Sequence, residues 1–337
     1  MTQGQAGFQA ATTLDEGIVA TAESCLAAVG EAREAIHGVI FGQEQVVDLA
    51  LVTILAGGHG LLVGLPGLAK TKLVETLGTV LGLDARRVQF TPDLMPSDIL
   101  GTEILDEDAE RRRSFRFVKG PVFTQLLMAD EINRASPRTQ SALLQAMQEH
   151  FVSVAGERHD LPRPFHVLAT QNPIEQEGTY PLPEAQLDRF LLEIDVGYPD
   201  RAAERRILIE TTGVEETKAK AVMTTEQLLT AQRLVRRLPV GEAVVEAILD
   251  IVRAARPDSG DAIVKGKLMW GPGPRASQAL TLAVRARALI EGRVAPSIAD
   301  VKALAEPVLK HRMALGYSAR ADGDTVEGLI ARLAERL

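Results

Sequence analysis

Eight residues constrain this chain more than any others: Gly64-Leu65-Pro66-Gly67-Leu68-Ala69-Lys70-Thr71. They follow the apolar run Leu61-Leu62-Val63, which reads as a strand, and they open a stretch of helix formers. A glycine-rich turn in that context aims backbone amides and a helix N-terminus at one spot, which is how a phosphate cradle is built. Lys70 would neutralise the β- and γ-phosphates of ATP, the Thr71 hydroxyl would ligate the magnesium ion bridging them, and Lys72 would complete the binding segment. The second glycine usual in such loops is Ala69 here, a departure that matters only if the position needs a positive φ. Taken alone, the string would also suit a strand-to-helix turn with no ligand.

The surrounding pattern fits a cradle. Between Gly60 and Val196 the short apolar runs Leu61–Val63, Arg87–Phe90, Leu126–Met128, His166–Thr170 and Phe190–Val196 alternate with helical stretches. That alternation predicts an α/β fold with a parallel sheet flanked by helices. Two segments interrupt it, Gly101–Phe123 and Phe151–Pro164, and both read as hairpins. Leu14–His37 predicts an N-terminal helix. After Pro199 the chain turns to long Ala, Leu, Arg and Glu segments at helical period, broken near Pro257 and at Trp270–Pro274. The division expected is therefore 1–198 for the helix and nucleotide-binding domain, and 199–337 for a smaller all-α domain.

Four further elements carry candidate chemistry. Leu126-Leu127-Met128-Ala129-Asp130-Glu131 is an apolar strand ending in two acids. Asp130 can hold magnesium through water while Glu131 orients and polarises the attacking water. The strand His166–Thr170 runs into Gln171 and Asn172, and the neutral amide of Asn172 can hold that water against the γ-phosphate, although Asn172-Pro173 would equally serve as a simple turn. Arg189, in Leu187-Asp188-Arg189-Phe190, and Arg275, behind the stiff Gly271-Pro272-Gly273-Pro274, are arginines placed between elements. Arg275 so placed can reach across to the phosphates. Either arginine alone would also suit a surface ion pair.

Composition removes other classes. The formal charge is -8, without the basic footprint of a nucleic-acid binder. Cys25 is the only cysteine, which excludes an internal disulfide and a Cys-rich zinc site. Met1–Thr13 does not read as a signal peptide, and no apolar run reaches the length of a membrane span, so a soluble cytoplasmic protein without membrane insertion is expected.

Together these residues resemble the AAA+ ATPases, and within them the MoxR family. The resemblance rests on G-L-P-G-L-A-K-T, on A-D-E-I-N-R-A-S-P-R-T-Q-S-A-L-L-Q-A-M-Q-E from Ala129 to Glu149, on A-T-Q-N-P from Ala169, and on P-L-P-E-A-Q-L-D-R-F from Pro181, and it spans about Val39 to Arg312. It implies a five-stranded AAA+ P-loop domain with hairpin insertions, followed by a helical lid. It also implies roles: Gly42-Gln43 against the adenine, Lys70 and Thr71 as Walker A residues, Asp130 and Glu131 as the Walker B pair, Asn172 as sensor 1, Arg189 as an arginine finger given to a neighbouring subunit, and Arg275 as sensor 2. Members of the family look the same at Ala69. Hexameric rings are the usual assembly, and the family is associated with chaperone-like maturation of client proteins alongside a partner bearing a von Willebrand factor A (VWA) domain. Threading unfoldases commonly display an aromatic residue in the loop after the second strand; Thr91–Gly101 has none, which favours remodelling of a client over processive unfolding.

Three alternatives stay open at this level. A P-loop kinase would not need Glu131 for water. A nucleic-acid motor has only Arg111-Arg112-Arg113 in its favour, flanked by Asp106, Glu107, Asp108 and Glu110. A nucleotide-gated scaffold would bind ATP with little turnover.

Overall fold

A computed structural model of the chain describes residues 22–107, 113–175, 177–213 and 218–337. Helix α1 covers 22–37; the earlier part of the helix expected from Leu14 lies outside the described residues, as do Arg111 and Arg112. Within α1 the buried residues Cys25, Val29, Ala32 and Ile36 recur at three- and four-residue intervals, so one stripe of the helix faces the core.

Five strands form one parallel sheet: β1 (Gly60–Gly64), β2 (Ala85–Gln89), β5 (Leu126–Asp130), β8 (His166–Gln171) and β9 (Leu192–Val196). Their spatial order is β2-β5-β8-β1-β9. Every residue of β5 is buried, which is why its sequence is a continuous apolar run. Alternate side chains feed two cores on opposite faces. Leu62, Leu126, Met128 and Leu168 join the larger core, while Leu61, Leu127, Ala129 and Val167 join the smaller.

Helices α2 (Glu44–Leu55) and α3 (Lys70–Val80) cover the first face, and α5 (Pro137–Glu149) packs into the second core. A short helix, α4 (Pro96–Leu100), leads into the first insertion. Both insertions are the expected antiparallel hairpins: β3 (Gly101–Glu107) with β4 (Arg113–Lys119), and β6 (Phe151–Val154) with β7 (Glu157–Asp160). Phe117 of the first hairpin stacks on His159 of the second, with ring centroids 4.0 Å apart, so the two insertions brace each other. At the far end of the first hairpin Phe115 stands opposite Leu105, and Phe115 is 72% exposed. Thr91–Gly101 indeed lacks an aromatic residue, but the hairpin that follows it carries an exposed one.

After the small turn α6 (Glu184–Leu187) and β9, the chain is helical: α7 (Arg201–Thr211), α8 (Thr225–Arg237), α9 (Glu242–Ala254), α10 (Pro274–Ile290) and α11 (Ile298–Leu309), with two short helices to the end. One short antiparallel strand pair, β10 (Leu268–Trp270) with β11 (Ala314–Leu315), adds to the helices expected there. This part does not keep its core to itself. Leu280 and Val284 of α10, and Leu304 and Val308 of α11, belong to the same buried cluster as α2 and β9. A 3-10 turn at Lys310–Arg312 ties it further to the sheet, with Lys310 pairing with Glu193 at 3.2 Å and with Asp195. Burial disfavours the Lys310 charge, but Glu193 and Asp195 more than offset this and its pKa is raised. Among the described residues no helix is long and apolar enough to cross a membrane.

Candidate functional site

The loop after β1 is shaped by two positive φ angles, +81° at Gly67 and +57° at Ala69. The Ala69 position therefore does need the left-handed region, and an alanine there carries about 1–2 kcal/mol of strain. What the conformation delivers is the start of α3. Ala69 is its N-cap, no side chain caps it, and its first helical bond runs from the Leu73 N–H to the Ala69 carbonyl at 2.9 Å. The amides of Lys70, Thr71 and Lys72 thus head an uncapped helix N-terminus, where an anion is favoured by both hydrogen bonding and the helix dipole. A Cβ at Gly67 would meet nothing within 4 Å, so the glycine is called for there by its positive φ and not by crowding. Lys70 Nζ donates to the Gly64 carbonyl at 2.5 Å and to that of Leu65 at 3.1 Å. Burial lowers the Lys70 pKa, opposed by Asp130 and Glu131 nearby.

Beside the loop lies a cavity of about 130 Å³ lined by Val39, Phe41, Gln43, Leu68, Lys72 and Ile207. Gly42 sits at its edge with φ +70°, and a Cβ there would stand 2.3 Å from the Ala203 Cβ, so only glycine lets α7 close on this segment. Gln43 Nε2 donates to the Gly197 carbonyl at 2.8 Å, fastening the segment to the end of β9. The segment, the P-loop and α7 therefore share one slot next to the phosphate cradle.

The acids follow on the same carboxyl edge of the sheet, where ligands bind in open α/β folds. Strand β8 lies between β1 and β5 and supplies Thr170, which is buried. Its Oγ1 donates to Asp130 Oδ1 at 2.5 Å and accepts the Glu131 N–H at 2.8 Å. Asp130 Oδ2 accepts from Arg87 of β2 through Nη2 at 2.6 Å and Nε at 3.1 Å. Glu131 occupies the left-handed region at φ +55°, a strain of about 1–3 kcal/mol of the sort that persists where surrounding bonds over-determine a functional residue. Those bonds are present: Glu131 Oε2 accepts from Gln89 Nε2 at 2.7 Å and from Arg134 Nη1 at 3.0 Å. Asn172, just past β8, accepts the Ile174 N–H on Oδ1 at 3.2 Å, and its Nδ2 lies 3.5 Å from Glu175. Its side chain closes its own turn, and Glu175, 3.7 Å from Arg134, links it to Glu131 only through that arginine.

Magnesium fits this donor set. The Thr71 hydroxyl heads α3 and the Asp130 carboxylate, already fixed in orientation, faces the same edge; oxygen donors of this kind are what a hard divalent cation takes.

Arg189 and Arg275 are elsewhere. Both line a cavity of about 290 Å³ with His59, Asp188 and Arg312. Arg189 Nη1 donates to the Leu144 carbonyl at 2.6 Å, and Arg275 Nη1 is 3.6 Å from Asp188 Oδ2. Asp188 precedes β9, whose Leu192 pairs with Gly60 and whose Val196 pairs with Gly64. The arginines therefore lie before the amino ends of β1 and β9, and the P-loop lies beyond the carboxyl end of β1, about 13 Å further along the strand. For Arg275 this corrects the expectation of a reach to the phosphates of its own subunit. The helical part packs against α2 and β9 and delivers Arg275 to the opposite end of the sheet. Arg189 was expected to serve a neighbour; within its own subunit it stands at the opposite end of β1 from the P-loop.

Arg87, Gln89, Arg134, Thr170 and Glu175 were not singled out as site residues from sequence. Thr170 and Arg134 stand inside the distinctive strings around Ala169 and Ala129. Arg87 and Gln89 show only as polar residues in an edge strand, a signal too common to select them. In the first hairpin Arg113 pairs with Glu107 at 3.2 Å and Arg116 with Asp106 at 2.8 Å.

Comparison with known proteins agrees with this fold. A family model described as "ATPase family associated with various cellular activities (AAA)" matches residues 59–192, and a model of the AAA lid domain matches residues 261–333. The protein named Chaperone MoxR1 of Mycobacterium tuberculosis is 44% identical over 320 residues, covering 94% of this chain and 83% of its own. Protein MoxR of Paracoccus denitrificans is 33% identical over 304 residues, covering 85% and 88%. A crystal structure of a candidate ATPase from Cytophaga hutchinsonii superposes with a TM-score of 0.88 at 34% identity, covering 96% of this chain and 98% of that one.

Proposed function

The chain belongs to the MoxR family of AAA ATPases, and from that premise we propose that it hydrolyses ATP to ADP and phosphate with magnesium, in a site completed by a second copy of itself. The observation that carries the reading is the convergence of the uncapped α3 amides, Lys70 and the clamped Asp130–Glu131 pair on one edge of the sheet. Lys70 and the amides hold the phosphates, and the slot by Gly42 and Gln43 takes the base. Glu131 polarises the attacking water with Asn172 beside it. Thr71 and Asp130 would hold magnesium, which when bound neutralises charge on the phosphates. Gln89 and Arg134 occupy Glu131 Oε2 as it stands, so those bonds must be exchanged before that oxygen can take a water.

Arg189 cannot serve its own P-loop, so a ring in which each finger meets the neighbour's nucleotide is the natural assembly, with a hexamer as the working number. Arg275, beside Arg189, faces the same neighbour. Residues 1–198 and 199–337 act in this reading as the nucleotide domain and a lid that moves with it. Remodelling of a client protein, with a VWA-domain partner, is the role we infer, by likeness to relatives that carry the name chaperone; a cytoplasmic location goes with it.

Mixing tests the shared site. Arg189→Ala keeps its own Glu131 and Glu131→Gln keeps its finger, so two nearly inactive proteins should regain ATPase activity when combined. If native mass spectrometry shows mixed rings while phosphate release stays at the level of the separate variants, the shared site must be abandoned.

A further inference from the structure

Among the described residues, Arg312 is the largest fully buried side chain. A guanidinium has five N–H donors, and here five oxygens lie within hydrogen-bond distance of it, with His311 Nε2 a further contact of Nη1 at 2.7 Å. Nε donates to Asp188 Oδ1 at 2.8 Å, Nη2 to the Phe190 carbonyl at 2.6 Å and the Asp188 carbonyl at 3.2 Å, and Nη1 to the carbonyls of Val308 at 2.5 Å and Leu191 at 3.2 Å. Four of those five oxygens belong to residues 188–191. Arg189 lies inside that segment, with the carbonyls on both sides of it tied to a single planar group from the helical part of the chain.

Stability alone does not call for such an arrangement. Burying a charge costs several kcal/mol, and well-packed apolar side chains of similar volume commonly replace buried ion pairs without loss. What a planar five-donor fork supplies is orientation: it fixes a backbone path that a lysine or an apolar residue would leave free to rotate. The neighbouring contacts run the same way, since Arg275 also approaches Asp188 and His311 Nε2 lies 3.1 Å from the Phe190 carbonyl.

We propose that Arg312 is a positioning residue for Arg189, coupling the placement of the helical part to the guanidinium that each subunit presents to its neighbour. The inference rests on the shared-site reading of Arg189 above. A helical part displaced from the sheet would carry Arg312 away from residues 188–191 and withdraw the finger, so the state of one subunit would set hydrolysis in the next.

Two variants of the full chain test it. Arg312→Lys retains the charge but cannot reach four oxygens of the segment, and Asp188→Asn leaves the backbone contacts while removing the carboxylate. Each should bind a fluorescent ATP analogue as the unmodified protein does and hydrolyse ATP about 10²-fold more slowly, the loss that a misplacement of about 1 Å produces. Each should regain activity when mixed with Glu131→Gln, which brings a correctly held finger, and none when mixed with Arg189→Ala, which brings no finger. A purely structural role predicts the same result with both partners. Absence of rescue by Glu131→Gln, while Arg189→Ala is rescued by it, overturns the proposal and leaves the shared site standing. Failure of the Arg189→Ala and Glu131→Gln pair overturns both. If Arg312→Lys does not fold, by circular dichroism, the same mixtures with Asp188→Asn decide.

Discussion

Thr170 Oγ1 lies 2.5 Å from Asp130 Oδ1 and 2.8 Å from the amide nitrogen of Glu131, so one hydroxyl on β8 fixes both acids of the neighbouring strand. Removing it leaves a buried N–H without an acceptor, at a cost of about 1–3 kcal/mol, in a backbone already held at a positive φ. Thr170→Val should therefore lower the melting temperature modestly and slow turnover by as much as about 10²-fold, with nucleotide affinity changed far less. Steady-state phosphate release combined with equilibrium nucleotide titration separates the two effects. Equal losses in both would take Thr170 out of the role of aligning the acids.

Binding and hydrolysis should separate between Lys70 and Glu131. Lys70→Ala removes the cation facing the phosphates, and losing a charge-assisted contact of about 2 kcal/mol weakens ATP by more than tenfold. Glu131→Gln keeps the shape and the bond partners, so affinity should hold while turnover falls steeply. Isothermal titration of both variants reads the difference directly.

For Arg275 the geometry predicts an absence. Lying at the amino end of β1, it should be replaceable by alanine without changing the ATP affinity of dilute, unassembled subunits. Any effect should emerge only as concentration drives assembly. A weakened affinity in the monomer would place Arg275 at its own phosphates after all.

Acid sensitivity should come from the base of the sheet. His59 Nδ1 accepts the Val167 N–H at 2.9 Å and Nε2 donates to the Met147 carbonyl, and burial, with His166 and His150 adding to it, depresses its pKa to about 3. His166 Nδ1 donates to the Gly58 carbonyl at 2.8 Å and Nε2 accepts from Gln232, and burial brings it to about 4. Both folded values lie below the ordinary histidine value of 6.5, so the unfolded chain binds protons first as pH falls. Their stabilisation is complete above about pH 6.5 and is lost progressively down to the folded values. Each contributes a slope of about 1.4 kcal/mol per pH unit within that window. Denaturant melts from pH 7.5 to 5 should show it, and His166→Gln should flatten the curve; an unchanged slope would mean that His166 is not held neutral.

How much of this was legible beforehand follows from the range of the interactions. The strand-turn-helix at Gly64–Thr71, the acids at the end of an apolar run and the two hairpins are local matters. There the order of residue types dictates backbone geometry and burial, and the sequence determined them. It also determined the family, through strings too long to arise by spacing alone. The tertiary structure decided which strands are neighbours. With β8 between β1 and β5, Thr170 becomes the clamp on Asp130 and Glu131, and Arg87 and Gln89 on β2 meet the acids from the other side. It also decided that Arg275 stands with Arg189 and Arg312 rather than over the phosphates. That placement comes from α10 and α11 packing against α2 and β9, contacts between segments far apart in the chain, whose mutual orientation is set by the shape of a shared core and not by any local run of residues.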